Sequence, residues 1–187
     1  MTSRIILASA SPRRKELLKK IINDFQIIES GVDESTILAE SPQEFAEKAA
    51  QAKAQAVVKR NPDSIVIGAD TIVVLKGRIL GKPKDKQEAI SMLTSLAGRT
   101  HEVMTGIAVV FPGGKTASDV AITKVTMKNV SDETIMDYVA TGKPLDKAGA
   151  YGIQEIEEAF IDSIEGDYDN VVGLPVLLLQ QLINQAI

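Results

Sequence analysis

The 187-residue chain contains no cysteine and no tryptophan, and it has a single histidine, His101. The absence of cysteine excludes disulfides, thiolate zinc sites and cysteine nucleophiles. With one histidine, a packing or hydrogen-bonding role is expected of it, and a metal site would have to be built from carboxylates. Carboxylate sites favour Mg²⁺ or Mn²⁺, so a divalent cation of this kind is the expected cofactor if a metal is used.

Long apolar runs are also absent. No stretch approaches the roughly 20 apolar residues that cross a bilayer, and residues 4–8, with four apolar residues, are too few for a signal peptide. The net charge of −4 argues against a general nucleic-acid partner. These absences predict a protein with neither membrane nor nucleic-acid partners, and they favour a cytoplasmic location. With no repeat or linker visible, a single domain over residues 1–187 is expected.

Basic residues are nevertheless concentrated near the N-terminus. The stretch 9–14 reads Ser-Ala-Ser-Pro-Arg-Arg and lies between a short apolar run and a helical pattern. Ser11 suits a helix N-cap and Pro12 suits the first turn. Arg13 and Arg14 stand at a helix N-terminus, where arginine opposes the helix dipole and where anions bind. An anion is therefore expected to offset that cost, so the stretch predicts a phosphate site; the alternative is a solvated basic face.

Hydrophobic patterning predicts an α/β class with a mixed twisted sheet flanked by helices. Strands are predicted at 5–8, 25–30, 64–68, 72–75, 78–80, 101–111 and 116–128, and helices after Ser11, at 41–60, at 85–97, at 131–142 and from 176. The sequence Gly-Gly-Lys-Thr at 113–116 resembles the end of a P-loop. Val109 stands where that motif needs glycine, so a hairpin turn is predicted instead.

Three further segments carry groups suited to chemistry. Asp70 follows the predicted strand 64–68, and the carboxyl end of a buried strand is where α/β sheets place ligands. A simple turn is the alternative there. Lys82 offers a cation after a hairpin. Small residues at 145–154 let a backbone approach a ligand, and Gln154 can both donate and accept a hydrogen bond toward a base.

Taken in order, the segments 9–14, 68–71, 81–83, 146–154 and 166–175 closely resemble the Maf family of nucleoside triphosphate pyrophosphatases. The resemblance runs along nearly the whole chain. It implies a Maf-like domain over residues 1–187, with an elongated, bilobed fold of the inosine triphosphatase type and a central cleft. It also implies hydrolysis of a nucleoside triphosphate between the α and β phosphates, to a monophosphate and pyrophosphate, with a divalent cation.

The resemblance also assigns roles to single residues. Asp70 is the implied catalytic proton acceptor, and Asp70 and Glu34 are the candidate metal ligands. Arg13, Thr71 and Gln154 match the positions tied to base selection. The full set of matched substrate-binding or specificity positions is Ser9, Arg13, Arg14, Lys53, Thr71, Lys82 and Gln154.

The segment 146–154 resembles the branch of the family that acts on dTTP and UTP, while the branch preferring 7-methyl-GTP carries a different sequence there. One departure is that Glu155 and Glu157 follow Gln154, where family members usually have glycines. The alternatives that stay open are a pyrophosphatase for 7-methyl-GTP or another modified nucleotide, and a non-enzymatic nucleotide-binding regulator of septum formation. Removal of non-standard nucleotides and a homodimer also stay open.

Overall fold

Short strands and helices alternate along the chain, and the computed structural model describes residues 4–185. In that range there are seven strands and seven α-helices. The strands are β1 (Ile5–Leu7), β2 (Gln26–Ile27), β3 (Ile65–Leu75), β4 (Arg78–Leu80), β5 (Thr100–Val110), β6 (Thr116–Met127) and β7 (Ile161–Glu165). The helices are α1 (Pro12–Leu18), α2 (Pro42–Val58), α3 (Lys86–Leu96), α4 (Asp132–Ala140), α5 (Ile153–Phe160), α6 (Tyr168–Val172) and α7 (Val176–Asn184).

The strands form one mixed sheet. Their order is β2-β1-β3-β5-β6-β7, and β4 pairs with β3 outside this path. β1 is parallel to both β2 and β3. The remaining pairs are antiparallel. The prediction of an α/β fold with a mixed sheet flanked by helices is confirmed.

The central strand β3 has a complete neighbour on one side only. β5 pairs with it from Val66 to Val74. On the other side, β1 pairs with residues 65–67 and β4 pairs with residues 73–75. Residues 68–72 therefore face a gap between two short strands, with no strand beside them in the described part of the chain. A cleft opens at this gap.

Helix α2 lies directly on the sheet because small residues face each other there. Ala46, Ala50 and Ala54 are fully buried along the helix. Opposite them the sheet presents Gly68 and Gly106, and an added Cβ would collide with the Ala50 carbonyl at the first and with the Ala46 carbonyl at the second. The backbone of the helix therefore approaches the sheet more closely than larger residues would permit.

The opposite face of the sheet holds the main hydrophobic core. Alternate residues of β3, among them Ile67, Ala69 and Val73, point into it. Four of the covering helices each contribute a side chain that is at most 1% exposed: Leu18, Leu93, Ile135 and Leu179. Within residues 4–185, no helix combines the length and the hydropathy that crossing a membrane requires.

Several local predictions are confirmed. Ser11, Ser41 and Ser131 each accept a hydrogen bond from the backbone N–H three residues further on, as N-caps do. Lys76 and Gly77, with φ of 50° and 77°, form the two-residue turn between β3 and β4. Positive φ at both positions is typical of the type I′ hairpin turn. The predicted hairpin turn at 113–116 also joins β5 to β6.

Other local predictions are wrong. Asp70 lies in the middle of β3, not after its end, because pairing with β5 continues to Val74. The second strand is only Gln26–Ile27, since it pairs with two residues of the short strand β1. Strand β7 and helices α5 and α6 were not expected from the sequence.

The close approach of α2 to the sheet generates a test. We expect Gly68→Ala to lower the free energy of unfolding by at least about 2 kcal/mol, because the new Cβ must push α2 away from β3. Urea denaturation measures this change. Gly81→Ala is the control, since a Cβ at Gly81 meets nothing within 4 Å. Equal stabilities of the two variants would contradict the packing of α2 described here.

Candidate active site

A cleft of about 620 Å³ opens beside residues 68–72 of β3. This volume is typical of sites for small molecules. Its wall combines the start of α1, the segment 29–34, α2, β3, and the segments around residues 82 and 146–154. The wall includes all nine residues singled out from the sequence: Ser9, Arg13, Arg14, Glu34, Lys53, Asp70, Thr71, Lys82 and Gln154.

A buried lysine joins two carboxylates at the floor of the cleft. Lys53 projects from α2, and its Nζ lies 2.6 Å from Asp70 Oδ1 and 2.5 Å from Glu34 Oε1. Lys53 is 8% exposed and Asp70 is 4% exposed. Glu34 opens a short 3₁₀ turn, Glu34–Thr36, whose first residue is preceded by the capping side chain of Asp33. The three charged groups therefore come from a helix, a strand and a loop.

The pKa values of the two carboxyls move in opposite directions. Burial raises the pKa of Asp70 and the nearby Glu34 charge adds to this, while the Lys53 ammonium opposes it. Burial also acts to raise the pKa of Glu34, but Lys53 and Lys82 outweigh it, so that the pKa is lowered. Glu34 is thus the better stabilised anion, and Asp70 is the better proton acceptor of the two.

One oxygen of Asp70 remains available. Oδ1 is bonded to Lys53, whereas the buried Oδ2 has no hydrogen-bond partner within residues 4–185. Buried polar atoms normally have partners, and an unsatisfied one costs about 1–3 kcal/mol. Because Asp70 belongs to the cleft wall, a ligand, a water molecule or a metal ion bound there would satisfy this oxygen.

Arg14 is turned into the protein. Its Nε donates to the Gly173 carbonyl at 2.9 Å. Its two terminal nitrogens donate to Ser9 Oγ at 3.2 Å and to Thr71 Oγ1 at 3.0 Å. Burial lowers the pKa of Arg14, and the nearby carboxylates oppose this shift. Three protein oxygens therefore accept the donors of Arg14, where the sequence led us to expect an anion.

Thr71 continues this hydrogen-bond chain into the sheet. Its Oγ1 lies 2.9 Å from Oγ1 of Thr105, the residue opposite it on β5. Thr105 in turn donates to the Asn170 carbonyl at 3.0 Å. Since Thr105 donates its one hydroxyl proton to Asn170, it accepts from Thr71, which in turn accepts from Arg14. Thr105 was missed in the sequence because its importance depends on a cross-strand pairing that leaves no local pattern.

Three of the candidate residues lie at the rim of the cleft. Arg13 is half-buried, and Lys82 and Gln154 are exposed. Their side chains make no hydrogen bond or ion pair with any other residue that the structure describes. Unlike Lys53 and Arg14, they keep their full hydrogen-bonding capacity for a ligand.

The single histidine is buried and contacts a tyrosine of the cleft wall. His101 is 2% exposed, and its Nε2 lies 2.7 Å from the hydroxyl of Tyr151, which lines the cleft. Burial lowers the pKa of His101 to about 4, so the ring is neutral at physiological pH. The expected packing and hydrogen-bonding role is confirmed. Tyr151 belongs to the segment 145–154 but was not singled out from the sequence.

The carboxylates fit a metal ion only if it is shared with a ligand. Within residues 4–185, no three His, Cys, Asp or Glu side chains are grouped closely enough to hold a metal by themselves. Asp70 and Glu34 supply two carboxylates, and Asp70 Oδ2 has no other partner in this range. Mg²⁺ is commonly held by one or two carboxylates together with phosphate oxygens. The donor set therefore suits a cation that arrives with, or is completed by, phosphates.

The fold and the cleft define an α/β protein whose ligand site combines a buried carboxylate with cations at the rim. Residues 4–186 match the family model described as Maf-like protein, and the chain belongs to the Maf family. A dTTP/UTP pyrophosphatase of Geobacillus sp. is 50% identical, over 92% of this chain and 92% of its own length. A dTTP/UTP pyrophosphatase of Alkaliphilus metalliredigens is also 50% identical, over 97% and 95%.

A solved structure has a similar fold. The Staphylococcus aureus Ham1 protein aligns over 99% of this chain and 100% of its own, with a TM-score of 0.56 and 16% sequence identity. At that identity the likeness concerns the fold alone. It agrees with the mixed sheet and flanking helices described above.

The two neighbouring arginines generate a matched test of stability. We expect Arg14→Ala to lower the free energy of unfolding by about 2 kcal/mol, because it leaves buried oxygens without their donor. Arg13→Ala should change it by no more than about 0.5 kcal/mol, since Arg13 has no partner in the described range. Urea denaturation of both variants measures the difference. Equal losses would mean that Arg14 is not held as the structure shows.

Proposed function

We propose that this chain is a nucleoside triphosphate pyrophosphatase that hydrolyses dTTP and UTP to the monophosphate and pyrophosphate. The observation that carries the proposal is the free Oδ2 of Asp70, buried in a cleft of nucleotide size beside cationic side chains. The relatives at 50% identity over nearly their whole length, which are named dTTP/UTP pyrophosphatases, support both the reaction and the two substrates.

The cations divide into two groups in this proposal. Arg13 and Lys82 at the rim contact the triphosphate directly, because no protein group in the described range occupies them. Lys53 and Arg14 are already bonded to protein oxygens, and at the floor of the cleft they offset the charges of Asp70 and Glu34 in a fixed arrangement. Preorganised charges of this kind stabilise the charge that develops on phosphate oxygens during transfer.

Asp70 acts as the general base. Its Oδ2 accepts a proton from a water molecule while the water oxygen forms a bond to the α-phosphorus. The bond between the α-phosphorus and the bridging oxygen breaks, and its electron pair leaves with pyrophosphate. The raised pKa of Asp70 makes it a stronger proton acceptor, and because Lys53 occupies Oδ1, the oxygen left without a partner in the described range is Oδ2.

A divalent cation completes the proposal. Asp70 and Glu34 would hold it together with phosphate oxygens, and when bound it would supply Lewis-acid stabilisation of the phosphate charge. Lys53 keeps both carboxylates together, since one ammonium contacts an oxygen of each. Glu34, whose pKa is lowered, remains ionised and available at neutral pH.

Base selection is assigned to Gln154, Arg13 and Thr71, all of which line the cleft. The amide of Gln154 lines the cleft and has no partner in residues 4–185. An amide can meet a carbonyl and an N–H at the same time, and thymine and uracil present both on one ring edge. Cytosine replaces the N–H with an acceptor and one carbonyl with an amine, so an amide held in the orientation that suits thymine and uracil is mismatched with it.

The role of Asp70 is tested by Asp70→Asn. We expect turnover to fall by roughly 100-fold or more, because the shape is kept and the base is lost. The melting temperature should fall only modestly, since Lys53 loses one carboxylate partner but keeps Glu34. In the wild type, kcat/KM should fall as the pH decreases through the raised pKa of Asp70, at a pH above the ordinary aspartate value of about 4.

Asp24→Asn, at an exposed position outside the cleft wall, is the matched control and should leave turnover unchanged. Turnover of Asp70→Asn within a few-fold of the wild type would remove Asp70 from the reaction. Hydrolysis in ¹⁸O-labelled water should place the label in the monophosphate, because the α-phosphorus is the atom attacked.

The substrates are tested by pyrophosphate release from a panel of common and modified triphosphates. dTTP and UTP should exceed CTP and the purine triphosphates by roughly 10- to 100-fold in kcat/KM, since unsatisfied polar groups penalise the wrong base. Gln154→Ala should reduce this preference. If 7-methyl-GTP or another purine triphosphate is hydrolysed fastest, the assignment of Gln154 to the pyrimidine edge is wrong. If none is hydrolysed although nucleotides bind, the chain is a nucleotide-binding protein rather than an enzyme.

A further inference from the structure

Helix α5, which carries Gln154 at its second position, begins without a side-chain cap of its own. The residue before it is Gly152, which has no side chain to cap the first turn. The cap comes instead from α4. The hydroxyl of Tyr138 accepts a hydrogen bond from the Gly152 N–H at 3.3 Å and donates one to Glu155 Oε2 at 2.9 Å.

This arrangement resembles a capping box in which a tyrosine hydroxyl lies between the two groups that normally bond directly. In the ordinary motif, a glutamate three residues into the helix reaches back to the N-cap N–H. Here Glu155 holds that position, and the Tyr138 hydroxyl bridges the gap between its carboxylate and the Gly152 N–H. Burial, aided by Glu155, raises the pKa of Tyr138, so the hydroxyl stays protonated and can donate. The start of α5 is thereby tied to α4.

The buried side chain of Lys147 also contacts the first turn of α5. The Nζ of Lys147 donates to the Lys143 carbonyl at 2.6 Å and to Asp146 Oδ1 at 2.7 Å, and it lies 3.3 Å from Glu155 Oε1. The side chain of Lys147 is 6% exposed. Its aliphatic part packs against Gly152, where an added Cβ would lie 2.8 Å from the Lys147 Cε. Glu155 therefore joins a tyrosine and a lysine at the first turn of α5.

We propose that Tyr138 and Glu155, supported by Lys147, are positioning residues that determine base preference by fixing Gln154 at the cleft wall. This inference rests on the proposed function, in which Gln154 contacts the base. The side chain of Gln154 has no partner in the described range, so its placement depends on the backbone of the turn that carries it. Tyr138 is not part of the cleft wall, so it acts on the base only through this turn.

The same helix offers a matched control. On its outer side, the hydroxyl of Tyr168 donates to Glu157 Oε2 at 2.9 Å, which is the same type of bond at the same length. Tyr168 is 36% exposed, and neither of these two residues lines the cleft. The pair of Tyr138 and Glu155 can thus be compared with the pair of Tyr168 and Glu157. The two bonds are chemically equal, and the two glutamates lie two residues apart on α5.

The experiment compares Tyr138→Phe and Glu155→Gln with Tyr168→Phe and Glu157→Gln. For each variant, kcat/KM is measured with dTTP, UTP and CTP, and folding is followed by the melting temperature. We expect the ratio of dTTP to CTP to fall by about 5- to 20-fold in the first two variants, because a misplaced Gln154 loses its contacts to the correct base. The value for CTP should stay near that of the wild type, and both control variants should keep the wild-type ratio.

A merely structural role predicts a different result. If kcat/KM for dTTP and CTP fall by the same factor, or if the control variants lower the ratio equally, the positioning role is overturned. An unchanged ratio of dTTP to CTP in a folded Glu155→Gln variant also overturns the positioning role. This variant provides the test if Tyr138→Phe does not fold. A wild type without preference for dTTP and UTP would refute the proposed base selection and the inference together. A wild type with that preference and a Tyr138→Phe variant that keeps it would refute the inference alone.

Discussion

A lysine ammonium in a protein interior must be paired, because the desolvation of an isolated charge costs several kcal/mol. Lys53 meets this requirement with Asp70 on β3 and Glu34 on the segment before α2. The pairing is possible because α2 lies against the sheet at Gly68 and Gly106. The same ion pair occupies one oxygen of Asp70 and leaves the other without a partner in the described range. The contact between α2 and the sheet therefore underlies both the burial of Lys53 and the availability of Asp70 Oδ2.

The site also separates the positive charges that build the cleft from those left for a ligand. Lys53 faces the two carboxylates, and Arg14 donates to oxygens of the protein, so the floor is nearly neutral in itself. Arg13 and Lys82 are the rim cations without a partner in residues 4–185. A triphosphate therefore meets free donors at the rim and an already organised set of charges beneath them. Such preorganisation is what electrostatic catalysis requires.

The sequence predicted the features that depend on neighbouring residues, and it failed where distant segments decide. The caps at Ser11, Ser41 and Ser131 were predictable because each acts within its own turn. The position of Asp70 within β3 was not, since that strand is prolonged by pairing with β5. Helix α5 escaped notice because its cap, Tyr138, lies on another helix. Lys53 stood in an alanine-rich helix with no local signal, and only the resemblance to the Maf family pointed to it.

The placement of the base in mid-strand has a consequence for the whole cleft. Asp70 is fixed by a strand that pairs with β5 on one side, while on the other side the gap between β1 and β4 leaves its backbone without a neighbouring strand in the described range. A carboxylate on a rigid strand keeps its geometry better than one on a loop. The start of α5, in contrast, is held by Tyr138 and Lys147, none of whose bonds reach β3. Because these bonds are separate from those that hold Asp70, changes at Tyr138 or Glu155 can alter which base is accepted while leaving the phosphate end intact.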